Sequence, residues 1–312
     1  MNSGKLIRTC SIWRALEVVG DTSVLLILEA AWLGARRFDD IRARTGLLQT
    51  LQSDRLKRLV ASGILYKAMY RENSPRFEYR MTQKGLDLYW PALMMLRWER
   101  RWGSNASKLS LKLHHNTCGK SFEPTPACLT CGEEITARDV DWSEGPGVGW
   151  MDARYSRRRQ QRHAAYHSSG LMVDVAKITG DRWACLVLRS ILTGLRRFDE
   201  IRRDTAIATN ILSERLSWLT AEGVIRVHDL GGRTSEYRLT EKGIDYYPIL
   251  LMLLKWGDKY YVSPEGPPLL LRHKVHGHAL DPAVVCSCCG EPIHARDVTF
   301  ELNVNQALKQ AS

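Results

Sequence analysis

The chain has 312 residues, a formal net charge of +11 and an apolar share of 44%, which suits about two domains, each able to bury a core. A pI near 9.4 favours a polyanionic partner over an acidic or neutral one. A membrane span is excluded, because the most apolar stretch, residues 24–35, is interrupted by Glu29 and falls short of the ~18 residues needed.

In chain order, residues 1–8 form a basic start. The spacing of Ile12, Trp13, Leu16 and Val19 predicts a helix over 9–19. Gly20-Asp21 breaks it, and a nearly all-apolar helix from Thr22 is closed by Gly34. Phe38 and Ile41 pack a short helix that ends at Gly46. Residues 49–62 make the next, with Leu51, Leu56, Leu59 and Val60 on one face and Gly63 at its end. Residues 64–70 and 77–81 read as a hairpin around a polar tip containing Asn73 and Pro75. Thr82 caps a long helix to Trp102, lined by Leu86, Trp90, Leu93, Met94 and Trp98 and kinked by Pro91.

That order is a winged helix-turn-helix, with the hairpin as its wing. It is written twice. Residues 36–64 recur as 196–225 at a spacing of about 160, with Phe38 matching Phe198 and Gly63 matching Gly223. Gly180-Asp181 repeats Gly20-Asp21, and Thr240-Glu241-Lys242-Gly243 repeats Thr82-Gln83-Lys84-Gly85.

After each winged helix comes a tail with metal-ligand spacing. The first carries His115-x-x-Cys118-Gly and Cys128-x-x-Cys131-Gly. The second carries His273-x-x-His276-Gly and Cys286-x-x-Cys289-Gly. Tetrahedral zinc takes four N or S ligands, two intervening residues let one turn present a pair, and the following glycine permits a positive φ. Two structural zinc sites are expected, one per tail, closed to catalysis. Cys118 and His276 occupy matching positions, a swap that keeps metal binding where packing would not survive. His114 competes with His115, His278 with His276, and Cys288 with Cys289. A redox-active CxxC or a vestigial loop is the alternative.

The expected architecture is mainly α with small β-hairpins. It has a winged helix-turn-helix at 1–103, a zinc-ribbon-like segment at 104–142 and a basic linker at 143–170. A second winged helix-turn-helix follows at 171–262, a second ribbon-like segment at 263–302 and a tail at 303–312. In the linker, Arg157, Arg158, Arg159 and Arg162 read as a solvated run or as an arm on DNA phosphates. The apolar stripes of the long helices, 83–102 and 241–260, are large for such small domains. They are expected to pack on another subunit, giving a homo-oligomer, or on the other half of the chain.

A helix-turn-helix lays its second helix in the major groove of double-stranded DNA, with the N-terminal residues on base edges. Those residues are Gln49, Thr50, Gln52 and Ser53 in the first repeat, and Thr209, Asn210 and Ser213 in the second. Gln and Asn pair with adenine, and hydroxyls discriminate less. Arg36, Arg37, Arg196 and Arg197 suit phosphate, as do Arg71 and Arg76 in one wing and Arg233 in the other. Each arginine is otherwise a solvated charge, and carboxylates of the chain could hold Arg55 and Arg215. Because the two reading helices differ, one fused chain is expected to read two unlike half-sites.

The segments GDRW, LRSIL, RRFDEIRRDT, NILSERLSWLTAEGVI and EYRLTEKG, between Gly180 and Gly243, carry a resemblance. The chain resembles a tandem fusion of two HxlR-type winged helix-turn-helix transcriptional regulators, relatives of the MarR group. The resemblance implies a sequence-specific DNA-binding regulator that acts as a dimer, usually near its own gene. It also implies that a cysteine at the start of the first helix can sense oxidants or electrophiles. Cys10 holds that place, and the second repeat has Gly170 there. The alternative is an inert half-buried thiol, because activation needs a nearby cation or helix N-terminus and Arg8 and Arg14 are only sequence neighbours.

A second reading is a protein-interaction module or redox-responsive regulator in which one half no longer reads DNA, hinted at by Leu48 and Leu212. An enzyme is not expected, since there is no phosphate loop, nucleophile motif or open metal site. Residues 1–12 lack the apolar core of a secretory signal, so the expected location is the cytoplasm, at the nucleoid. In that setting the eight cysteines read as ligands or reactive thiols rather than disulfides. A small-molecule or oxidant effector is left open.

Overall fold

A computed structural model describes residues 6–69, 77–104, 109–152, 170–231, 235–261 and 263–304. The first repeat opens with β1 (Leu6–Arg8) and α1 (Ser11–Val19), then α2 (Thr22–Trp32), α3 (Phe38–Thr45) and α4 (Gln49–Ala61). The wing strands β2 (Leu65–Met69) and β3 (Phe77–Met81) follow, then α5 (Gln83–Leu86) and α6 (Tyr89–Trp102). Its tail holds β4 (Leu109–His115), β5 (Lys120–Phe122), β6 (Pro124–Cys128), β7 (Val140–Glu144) and β8 (Trp150–Asp152). The second repeat restates the helices as α7 (Val173–Thr179), α8 (Arg182–Leu192), α9 (Phe198–Thr205) and α10 (Thr209–Ala221). Its wing is β9 (Ile225–Asp229) and β10 (Ser235–Leu239), followed by α11 (Glu241–Ile244) and α12 (Tyr247–Tyr260). The last strands are β11 (Leu269–His273), β12 (Pro282–Cys286) and β13 (Val298–Val304).

These elements gather into two compact units, and each unit draws on both repeats. Unit I comprises residues 18–125, 170–180 and 283–304; unit II comprises 6–17, 126–152 and 181–282. The compact bodies therefore do not follow the expected linear boundaries. Each winged helix is completed by the leading helix and tail segments of the other repeat.

Unit I is built around α2, which is buried from Ser23 to Ala30. The Asp21 carboxylate caps it, accepting from the Ser23 and Val24 N–H groups, and so satisfies donors that a helix start leaves orphaned. α3 and α4 pack on α2. The wing pairs antiparallel from Leu65↔Met81 to Met69↔Phe77. The Tyr79 N–H donates to the Arg36 carbonyl at 2.8 Å, which ties the wing to the start of α3. Unit II repeats this plan, with Asp181 capping α8 and Tyr237 bonded to Arg196 at 2.9 Å. One position differs: Gly46 ends α3 at φ 65°, and Ala206 takes a similar left-handed turn at φ 50°, at a cost of roughly 1–2 kcal/mol for a residue with a Cβ.

The expected kink at Pro91 is absent. The chain breaks earlier, between α5 and α6, and Pro91 falls in the first turn of α6, where a missing N–H costs no helical bond. Pro248 does the same in α12.

The apolar stripes of the long helices are covered by leading helices of the opposite repeat. In unit I, α7 packs on α2 and α6. Its start is held by two buried carboxylates. Glu29 accepts from Leu171 N–H (2.8 Å) and Met172 N–H (3.1 Å), and Glu99 from Asp174 N–H (3.1 Å) and Val175 N–H (2.8 Å). In unit II the solution is different. Gly257 of α12 lets the leading helix approach so closely that an added Cβ would lie 2.2 Å from the Ser11 carbonyl oxygen. The Ser11 hydroxyl donates to Asp258, Arg14 donates to the Tyr261 carbonyl and to Ser263, and Trp13 packs on Trp183 with ring centroids 5.2 Å apart.

The tails exchange in the same way. In unit I, β4 pairs antiparallel with β13 from His115↔Val298 to Leu109↔Val304, with β5 on its other edge. In unit II, β7 pairs with β11 from Val140↔His273 to Glu144↔Leu269. Among the described residues no helix is long and apolar enough to cross a membrane.

Burial pushes the Glu29 carboxyl up from 4.5 to about 7, against the pull of its two backbone N–H donors, with Glu99 adding to the rise and Arg44 opposing it. Between those two values the folded state keeps a proton that the unfolded chain has lost. Stability therefore falls as pH rises from about 4.5 to about 7, by about 3 kcal/mol. Glu29→Gln is expected to flatten this slope in urea unfolding followed across that range; an unchanged slope would assign the proton elsewhere.

Candidate nucleic-acid interface and cysteine–histidine clusters

The reading helices are α4 and α10. An acid–base pair sets each against the capped start of the core helix, α2 or α8. Arg55 of α4 meets Asp21 at 2.8 Å and Asp54 at 2.6 Å. Arg215 of α10 meets Asp181 at 2.6 Å and Glu214 at 3.2 Å. The Arg215–Asp181 pair is the more enclosed, at 6% and 5% side-chain exposure. Both arginines are thus held by carboxylates of their own unit and do not face a ligand.

The N-terminal turns of α4 and α10 present Gln49, Thr50, Thr209, Asn210 and Ser213 as exposed side chains, with Ser53 half-buried. Gln52 does not belong with them. It is 0% exposed, and its Nε2 donates to the Phe38 carbonyl at 2.7 Å, bracing α3 against α4. Its counterpart Leu212 is likewise fully buried, so that leucine is core. Leu48, just before α4, is 71% exposed.

Arg36, Arg37, Arg196 and Arg197 are exposed at the starts of α3 and α9. At the second of these starts, Glu200 accepts from the Arg196 and Arg197 N–H groups, which fixes the turn that carries both arginines and lowers the Glu200 pKa. Arg71, Arg76 and Arg233, and the linker arginines 157–159 and 162, lie outside the described residues. Sequence reasoning missed Lys57, which is exposed on α4 one turn beyond Ser53. The steps of four from Gln49 to Ser53 to Lys57 would have found it. Ser217 takes that place on α10.

Cys10 is buried, at 6% exposure. The expected neighbours Arg8 and Arg14 are engaged by Glu144 and by Tyr261 and Ser263. The cation beside Cys10 is Arg189 of α8. Burial pushes the Arg189 pKa down, and Cys10 and Asp204 more than offset it.

The cysteine–histidine motifs form clusters, paired otherwise than one per tail. In unit I, His115 and Cys118 of the first tail meet Cys286 and Cys289 of the second, with all four ligand atoms within 4.8 Å of one another. Cys289 Sγ lies 3.4 Å from His115 Nδ1, and Cys118 Sγ lies 3.9 Å from Cys286 Sγ. In unit II, Cys131 Sγ of the first tail lies 3.8 Å from His273 Nδ1 of the second. There Cys131, Glu133, His273 and His276 form one group, and Cys128, Cys131 and His278 another. Gly119, Gly132, Gly277 and Gly290 close the four turns at φ 67°, 76°, 68° and 76°, the left-handed values that favour glycine. His114 stands apart, paired with Ser121 and Glu301, and Cys288 is exposed.

The HxlR-like helix-turn-helix family model matches residues 18–107 and 178–265. The chain belongs to this family, whose members are transcriptional regulators. An uncharacterised HTH-type transcriptional regulator of Mycobacterium tuberculosis strain H37Rv is 41% identical over 138 residues, which are 44% of this chain and 87% of that one. The regulator YvaP of Bacillus subtilis, also uncharacterised, is 37% identical over 87 residues, 27% of this chain and 80% of its own. A crystal structure of a protein thought to be a transcription factor aligns at 30% identity and a TM-score of 0.37, covering 45% of this chain and 96% of its own. Both regulators are of about single-repeat length, which agrees with a family domain present here twice.

Removing one partner of an enclosed ion pair leaves an uncompensated charge. Asp181→Ala is expected to cost about 3–5 kcal/mol in chemical denaturation, and Asp21→Ala less, because Asp21 and Arg55 are the more exposed pair. Equal losses would show that enclosure does not set the cost.

Proposed function

We propose that the protein is a sequence-specific DNA-binding transcriptional regulator in which one chain acts as a pseudo-dimer, α4 and α10 each reading a half-site. The observation that carries this reading is the repeated polar N-terminal face on α4 and α10, flanked by exposed arginines and held by the same Asp–Arg pair in both units. The reciprocal exchange of leading helices and tails supports the pseudo-dimer, because segments swapped between subunits of a homodimer are here supplied by one chain. Fusion replaces bimolecular pairing by an effective concentration of order mM.

Gln49 of α4 and Asn210 of α10 suit adenine. Arg36, Arg37, Arg196 and Arg197 set the register on phosphates. Lys57 against Ser217 makes the two readers differ in charge as well as in hydrogen bonding. One chain then covers two unlike half-sites about one duplex turn, ~34 Å, or a multiple apart. A regulator working this way acts in the cytoplasm at the nucleoid, without catalysis.

In vitro selection of bound duplexes tests the reading. An asymmetric site bound by one chain is expected. Gln49→Ala and Asn210→Ala should relax the preference at different half-sites by about 1–3 kcal/mol each, and Arg36→Ala should lower the salt slope by about 1. A symmetric site bound by two chains overturns the pseudo-dimer. Binding without salt dependence overturns DNA reading and favours a protein partner, for which exposed Leu48 is the one specific sign.

A further inference from the structure

We propose that the chain holds two zinc ions, each clasped by knuckles from opposite repeats. The first ion takes His115, Cys118, Cys286 and Cys289. The second takes Cys128, Cys131, His273 and His278.

The first site rests on the convergence of four ligand atoms, with Cys289 Sγ 3.4 Å from His115 Nδ1 and Cys118 Sγ 3.9 Å from Cys286 Sγ, near the ~3.3–3.8 Å edges of a tetrahedron with bonds of about 2.0–2.3 Å. His115 and Cys286 are almost fully buried, and the four cysteine and histidine positions belong to two turns of one compact unit. A cluster of three thiols and an imidazole without carboxylates selects zinc over hard cations.

The turns themselves are shaped for thiolates. Backbone N–H groups point at the sulfurs: Lys120 at Cys118, Glu133 at Cys131, Thr130 and Cys131 at Cys128, and Cys288 and Cys289 at Cys286. Three turns with this N–H···S pattern, and a left-handed glycine after each of the four ligand pairs, are more than chance packing of cysteines would give. All eight cysteines are free thiols, and Cys118 and Cys286 at 3.9 Å are set as co-ligands and not as a bonded pair.

In the second site the matching residue to Cys118 is His276, yet the geometry favours His278. His276 is exposed and its Nε2 faces Glu133 at 3.1 Å. His278 Nε2 is buried without a hydrogen-bond partner, beside Cys128 and Cys131. Its Nδ1 lies 2.9 Å from the Ala279 carbonyl, the outer contact that orients a ligating imidazole. A buried ring nitrogen left unpaired is costly, and a metal removes that cost.

The pairing has a structural consequence. Each ion fastens the CxxC turn of one repeat to the unit built on the winged helix of the other. In unit I the Trp90 indole of α6 already donates to the Ile293 carbonyl at 2.6 Å. In unit II the Leu129 N–H, inside the Cys128–Cys131 turn, donates to the Asp281 carbonyl at 2.9 Å. The zinc ions complete these attachments.

Counting zinc on the purified full-length chain tests the proposal without DNA, so it stands or falls apart from the proposed function. Two ions per chain are expected, and fewer than one overturns the sites. Cys118→Ser combined with Cys286→Ser should remove one ion, and Cys118→Ser combined with Cys128→Ser should remove both. The reverse pattern, two lost and then one, establishes a site within each tail and overturns the crossed pairing. His278→Ala should lose one ion and His276→Ala none; the opposite result overturns the choice of His278. If a double variant fails to fold, chelator-stripped wild-type protein oxidised with diamide decides the pairing. Peptide mapping should join Cys118 to Cys286 or Cys289, and a link from Cys118 to Cys128 or Cys131 contradicts the proposal.

Discussion

Four backbone N–H groups at the start of α7 are taken up by two glutamates of the first repeat, Glu29 and Glu99. Much of unit I depends on that interaction. A helix start leaves its first donors without partners, and here the acceptors come from the buried faces of α2 and α6. Held so, α7 covers the apolar stripe of α6 that the first repeat leaves bare. Two carboxylates buried side by side are costly, and the raised pKa values of both express that cost. The N–H donors offset it only where α7 is present.

Unit II meets the same need by other means. At the position of Glu99 it has Gly257, and the leading helix comes close enough for its Ser11 carbonyl to fill the space a Cβ would take. Asp258, Tyr261 and Ser263 then receive Ser11 and Arg14. The two repeats are therefore not interchangeable in their supports, although their winged helices are closely alike. The same holds for the reading helices. A common Asp–Arg pair fixes both, while Gln49 and Lys57 on one differ from Thr209 and Ser217 on the other. A shared frame with unlike contact residues suits a chain proposed to read two unlike half-sites.

Local order was largely legible in the sequence. The Asp21 and Asp181 caps, the winged-helix order and the glycine-closed knuckles follow from short-range rules. Pro91 misled because a proline in the first turn of a helix looks, in sequence, like a proline within a longer one; the break after α5 decides between them. Gln52 misled because a polar residue in a reading helix suggests a ligand contact, although Leu212 at the matching position already pointed to a buried site. The partition of the chain was not legible. Two tails of equal spacing give one three-thiol and one two-thiol set whether knuckles pair within a tail or across, so ligand counting cannot separate the two. The strand pairings β4–β13 and β7–β11 and the crossed helix packing reveal the exchange.

The central claim is that each compact unit is made from both repeats. A protease site inserted between residues 153 and 169 tests it most directly. After complete cleavage, the account predicts that residues 1–152 and 170–312 remain one species in size-exclusion chromatography and separate only on unfolding. Release of two independently folded halves under native conditions would contradict it.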